Sequence, residues 1–147
     1  MKRENIHVAV IDGQGGGVGR ALVAQVKAAF PALHVRGLGT NSTATAAMLK
    51  AGADDGATGE NAIVFNAGKM QVLLGPVGIL AANGLLGELT PAMSAAIGGS
   101  DAVKILLPSQ RCNIRLAIGA MRPMQSYLNE AVRLLGEELA SLEGEEK

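Results

Sequence analysis

The sequence predicts an α/β fold: a mainly parallel sheet with helices on both faces. Three observations predict it. Short β-branched or apolar runs alternate with segments of helical periodicity along the whole chain. The first run leads directly into a glycine cluster and then a helix, the junction of a strand–turn–helix unit. No repeat of roughly 20–50 residues and no linker interrupts the pattern, so residues 1–147 read as one continuous domain.

The elements follow in order. Residues 6–11 (IHVAVI) form a β-branched run expected of a strand buried on both faces. Residues 12–19 (DGQGGGVG) turn the chain. Val18, Leu22, Val26 and Phe30 then recur every four residues, an amphipathic helix that Pro31 terminates. Residues 33–39 (LHVRGLG) read as the second strand. Asn41 or Ser42 caps a second helix running to about Ala51, with Gly52 as its stop. Its face of Ala44, Ala47, Met48 and Ala51 is small enough for close packing on a sheet.

Residues 53–57 read as a short third strand, 59–68 as a short helix and 72–75 (VLLG) as the fourth strand. Thr90 followed by Pro91 starts a helix, because threonine caps and proline suits the first helical position; that helix ends near Gly98. Residues 103–107 (VKILL) and 115–118 (RLAI) read as two more strands, and Pro123 opens a final helix. That helix carries Leu128, Val132, Leu135, Leu139 and Leu142 in a stripe that suits either the sheet or a second copy of the chain. Residues 143–147 are expected to fray.

Composition narrows the function classes. A chain of 147 residues has no room for a dinucleotide domain plus a separate substrate domain. Apolar residues make up 48% and mean hydropathy is +0.26, enough for a core. The aromatics are Phe30, Phe65 and Tyr127 alone, which argues against base stacking as a source of affinity. Net charge is zero, so no polybasic footprint marks a nucleic-acid partner. The single cysteine, Cys112, excludes an internal disulfide and a cysteine-based zinc site, and no metal site is expected. The apolar stretch 77–86 is broken by Gly78, Asn83 and Gly84, so neither a membrane span nor a membrane partner is expected. The short apolar run behind a polar start is no signal-peptide core, and a cytoplasmic location follows as the expectation. High apolar content in a small chain makes a homodimer the expected assembly.

Charge is distributed unevenly. Residues 1–53 carry six basic and two acidic groups, and residues 54–147 carry seven and eleven. No Asp or Glu occurs between Gly13 and Ala53, which suits an anionic ligand in the first half; chance fluctuation of surface charge explains it equally well.

The glycine cluster is the most informative motif. Of 20 glycines, Gly13, Gly15, Gly16, Gly17 and Gly19 fall within seven residues. A strand–turn–helix junction directs backbone N–H groups and a helix N-terminus at one point, which attracts phosphate. The spacing G-x-G-x-x-G fails, because Val18 stands at the third glycine. The Walker spacing fails at Arg20 and Ala21. G-x-x-x-G-x-G fits through Gly13, Gly17 and Gly19, and resembles the cofactor loop of short-chain dehydrogenases. Their catalytic Tyr-x-x-x-Lys is missing, since Ala131 follows Tyr127 by four, so their reaction is not implied. A tight crossover turn with close helix–sheet packing is the structural alternative.

Ligands of an open parallel sheet bind beyond the carboxyl ends of its strands. Those ends supply the remaining candidates: Thr40, Asn41 and Ser42; Gly59, Glu60 and Asn61; Arg111 and Asn113. Together with Gly13, Gly15, Gly16, Gly17, Val18 and Gly19 they form the expected binding site. The expected ligand is small and phosphorylated: NADP, NAD or another nucleotide. An acid about 20 residues past the glycines would favour NAD. None is present, and Arg36 in the second strand leans the expectation towards a 2′-phosphate. Asp12 is read as closing the loop through its own turn. Glu60 suits either a ribose contact or a helix N-terminus. His7 and His34 fall at or near the beginnings of their strands, away from Cys112, which argues against a nucleophile–base pair; an enzyme using Cys112 or Glu60 is a third, less favoured reading. The alternative function is a non-enzymatic sensor or interaction subunit using its apolar surface around residues 77–89.

Several strings are distinctive: residues 8–22 (VAVIDGQGGGVGRAL), 38–63 (LGTNSTATAAMLKAGADDGATGENAI), 75–76 (GP) and 111–114 (RCNI). They resemble a bacterial family of short proteins catalogued as a domain of unknown function, over nearly the whole chain. The resemblance implies a single Rossmann-like domain and implies no activity.

Overall fold

The computed structural model describes residues 1–109 and 111–144. Five parallel strands form one sheet: β1 (His7–Asp12), β2 (His34–Gly39), β3 (Asp55–Thr58), β4 (Val72–Pro76) and β5 (Val103–Leu107). Five α-helices connect or follow them: α1 (Gly17–Ala29), α2 (Ser42–Lys50), α3 (Glu60–Ala67), α4 (Pro91–Gly98) and α5 (Met124–Gly144). The strand order is β3-β2-β1-β4-β5. The chain thus winds outwards from β1 to one edge, then crosses back to β4. This is the doubly wound order of a Rossmann-like fold, with its switch point between β1 and β4.

Alternation along the strands builds two cores. Val8 and Val10 of β1, with Val72 and Leu74 of β4, face Leu22, Val23 and Val26 of α1 and Leu128, Leu135 and Leu139 of α5. Ala9 and Ile11, with Leu73, face Ile63 of α3, Met93 and Ile97 of α4, and Ile79, Leu85 and Leu89 of the long β4–α4 connection. Both faces of β1 are sealed, which is why its sequence reads as a continuous apolar run. The leucine stripe of α5 is thereby spent on the sheet.

Local signals set the helix ends. Asn41 is the N-cap of α2, its side chain accepting from Ala44 N at 2.9 Å. Thr90 caps α4 by accepting from Met93 N at 3.2 Å, with Pro91 at the first helical position. Pro123 directly precedes α5. Two expectations are corrected. Residues 115–118 form no strand; Leu116 and Ile118 are exposed. A parallel partner for β5 needs a crossover of roughly a dozen residues, and only residues 108–114 intervene. The expected frayed tail starts too early, because α5 continues through Glu143 and Gly144 and Arg3 pairs with Glu143; residues 145–147 lie outside the described ones. No helix among the described residues is long and apolar enough to cross a membrane.

Candidate functional site

A cavity of about 370 Å³ opens beyond the carboxyl ends of β1, β4 and β5, at the switch point of the sheet. Its floor is Asp12 and the glycine loop through Val18; Pro76 and Gly78 follow from β4, and Leu107, Pro108 and Ser109 from β5. Leu85, Cys112, Met121 and Met124 complete the walls. A second hollow of about 520 Å³ adjoins it, sharing Gln14, Leu85 and Cys112 and adding residues 81–84, Leu86 and Asn113.

The five loop glycines divide into two kinds. Three are required by packing. A Cβ on Gly13 would lie 2.6 Å from Thr40 Oγ1, and one on Gly19 would lie 2.8 Å from both Asp12 Cβ and Met48 Sδ. Gly16, at the N-cap of α1, has φ +74° and would meet Ala44 Cα at 2.8 Å. Gly15 and Gly17 are different. Nothing lies within 4 Å of either Cβ position and neither has a positive φ. Both are exposed, and both line the cavity.

Two carboxylates shape the loop. Asp12 accepts from Gly13 N at 2.8 Å through Oδ1 and from Gly19 N at 2.7 Å through Oδ2. It thus closes the loop and neutralises amides at the start of α1. Burial pushes its carboxyl above the usual aspartate value; the Gly19 and Gly13 amides pull the other way, and the Glu88 charge adds to the rise. Glu88 reaches over from the β4–α4 connection. Its Oε1 accepts from Gln14 N at 2.8 Å, Thr40 Oγ1 at 2.6 Å and Asn41 Nδ2 at 2.8 Å. The Thr40 hydroxyl foremost holds Glu88 below the usual glutamate value, against burial and with the Gln14 and Asn41 donors.

The structure brings some expected residues together and separates others. Gly13, Gly15, Gly16, Gly17 and Val18 line the cavity, and Gly19 lies behind them against Met48. Thr40 and Asn41 flank the loop through Glu88, while Ser42 is exposed at the first position of α2. Gly59, Glu60 and Asn61 stand at the end of β3, the edge strand two places from β1; Glu60 accepts from Thr90 Oγ1 at 2.5 Å. Asn113 lines the second hollow, and Arg111 belongs to the same short turn, its side chain outside the described residues. Each nitrogen of the Arg36 guanidinium has a partner: two grip Asp55, at 2.7 and 2.9 Å, and the third donates to Asn66 at 2.9 Å.

His7 and His34 pair in register at the beginnings of β1 and β2, their rings 5.4 Å apart, at the opposite end of the sheet from the cavity. Cys112 Sγ instead accepts from Leu85 N at 3.3 Å. No group of three potential metal ligands forms among the described residues. The cavity offers a glycine-lined floor, an apolar wall and one buried carboxyl, with no acid–base pair among the described residues that line it. Sequence reasoning missed Leu85, Glu88, Met121 and Met124. Glu88 carried a signal, as the lone acid in an apolar stretch; the two methionines carried none.

The family model described as Domain of unknown function (DUF3842) matches residues 7–140, and the chain belongs to that family. No curated protein matches the chain.

Proposed function

We propose that this member of a family of unknown function binds a nucleotide, dinucleotide or other phosphorylated ligand on the loop from Gly13 to Gly19. One observation carries the reading: Gly15 and Gly17 are glycine without any internal steric need, and both border the cavity. Glycine at such a position lets a ligand approach the backbone N–H groups directly. Cavities of roughly 300–1,000 Å³ are typical of small-ligand sites, and this one lies at the place the fold favours. Asn113, from the adjoining hollow, and Arg111 are proposed as further contacts. A location in the cytoplasm and a homodimer accompany the proposal.

Thermal-shift and calorimetric titration with NAD(H), NADP(H), ATP, GTP and FAD tests it. A ligand at a hundred times its Kd stabilises the fold by about 2.7 kcal/mol. No stabilisation by any of them at millimolar concentration overturns the nucleotide and dinucleotide reading. Native mass spectrometry of protein taken from cells would show bound ligand and assembly state together.

A second reading, a partner-binding subunit, rests on Leu86. It is 95% exposed and held at φ +57°, an unusual place for a leucine. The rest of the apolar stretch offers less surface: Ile79, Leu85 and Leu89 are core. A Leu86→Glu variant that retains every partner captured by the wild type refutes this reading.

A further inference from the structure

In sheets of this strand order, the residue beyond the end of the second strand reads the ribose of a bound dinucleotide. A carboxylate there accepts from the sugar hydroxyls, and a cation there accommodates a 2′-phosphate. From Gly39, the last residue of β2, the chain runs on through Thr40, Asn41 and Ser42 and contains neither. The structure fills the place from elsewhere. Glu88, 48 residues beyond Thr40, sets its carboxylate against the Thr40 hydroxyl and the Asn41 amide, the first side chains after the strand. It also binds Gln14 N, so it touches the glycine loop and the strand end at once.

Two features hold Glu88 beside the glycine loop and the end of β2. Leu85 and Leu89, on either side of it, are buried in the core and anchor the segment. All three donors converge on Oε1, which leaves Oε2 without a protein donor among the described residues. The cation of β2, Arg36, lies at the level of Ala9, three residues short of the strand end, and both faces of its guanidinium fork are taken by Asp55 and Asn66.

We propose that Glu88 reads the ribose of the ligand and restricts the site to nucleotides without a 2′-phosphate, NAD rather than NADP. The inference rests on the loop reading above and reverses the preference that Arg36 alone suggested. A free diol donates to Oε2. A 2′-phosphate would face the carboxylate while Arg36, the cation of β2, is held by Asp55 and Asn66, and like charges brought together across a binding surface cost affinity.

Calorimetry with NAD⁺ and NADP⁺ on the wild type and on Glu88→Gln tests this, with thermal melts to show that the variant is folded. The wild type should bind NAD⁺ at least about tenfold more tightly than NADP⁺. Glu88→Gln removes the charge and should bring the two within about threefold, by tightening NADP⁺. NADP⁺ binding as tightly as NAD⁺ to the wild type overturns the inference and leaves the loop reading standing. So does an unchanged ratio in a folded Glu88→Gln. Binding of neither dinucleotide overturns the assignment of NAD and with it the inference, and the loop reading then stands if ATP or GTP binds. Binding of no nucleotide overturns both. The wild-type ratio needs no variant, so failure of Glu88→Gln to fold leaves that comparison decisive.

Discussion

Replacing Gly16 and Gly17 with alanine, one at a time, separates what the loop needs in order to fold from what it needs in order to bind. Gly16 has φ +74°, and its added Cβ would sit 2.8 Å from Ala44 Cα and 3.1 Å from Ala44 O. Both are backbone atoms of α2, so neither can swing aside. The left-handed conformation costs an L-residue about 1–2 kcal/mol, and overpacking adds about 1–3 kcal/mol. Gly16→Ala should therefore destabilise by about 2–5 kcal/mol, a fall in Tm of roughly 5–15 °C. Gly17 has a helical backbone at the start of α1 and open space at its Cβ position. Alanine there restricts the unfolded chain and should stabilise by about 0.4–1 kcal/mol, a rise in Tm of roughly 1–4 °C. If a ligand lies on the backbone of the loop as proposed, the same methyl group stands in its way and should weaken it by about tenfold. Thermal melts of the two variants without ligand, followed by titration of Gly17→Ala, provide the assay. A Gly17→Ala protein less stable than wild type, or a Gly16→Ala protein as stable, refutes the division of the glycines. A more stable Gly17→Ala with unchanged ligand affinity refutes the role of the open pair.

Asp12→Ala strands the buried amides of Gly13 and Gly19 and should cost about 1–3 kcal/mol in a denaturant titration. Leu86→Glu should leave stability within about 0.5 kcal/mol, because the side chain is almost wholly exposed. Leu85→Glu, one residue earlier and 8% exposed, should abolish folding, as far-ultraviolet circular dichroism would show. Acid should destabilise through Asp55, which Arg36 foremost holds below the usual value of 3.8. Its contribution is present above that value and is lost as pH falls through the lower folded value, so Asp55→Asn should flatten this part of a pH titration of stability. Asp12 works in the opposite sense. Its folded value is raised, so its contribution is present below 3.8 and is lost as pH rises through the folded value.

The periodicities that make helices and strands are local, and here they were legible: the β-branched run of β1, the Thr90–Pro91 start and the Asn41 cap all appear where the residues place them. The strand order is a property of crossovers, and no residue encodes it locally. The run from Arg115 to Ile118 has strand composition, yet β-propensity records only fitness for a pleated surface, and no neighbour lies within reach of so short a connection. The glycine loop was legible as a feature. Only contacts across the fold distinguish Gly13, which presses on Thr40, from Gly17, which presses on nothing. Glu88 shows the limit most clearly. Its partners lie 74 and 48 residues away, so composition could flag the acid and not its seat beside Gln14 and Thr40.

The sheet also acts as an insulating partition. Side chains such as Leu135 and Ile97 belong to compartments on opposite sides of it and share no neighbour in either. Damage on one side should therefore register as a separate, additive loss, with little coupling across the strands. The glycine loop sits at the rim where both compartments end, Asp12 and Gly19 on the α1 side and Leu85 on the other. A ligand seated there would touch both compartments at once, and both halves would report it.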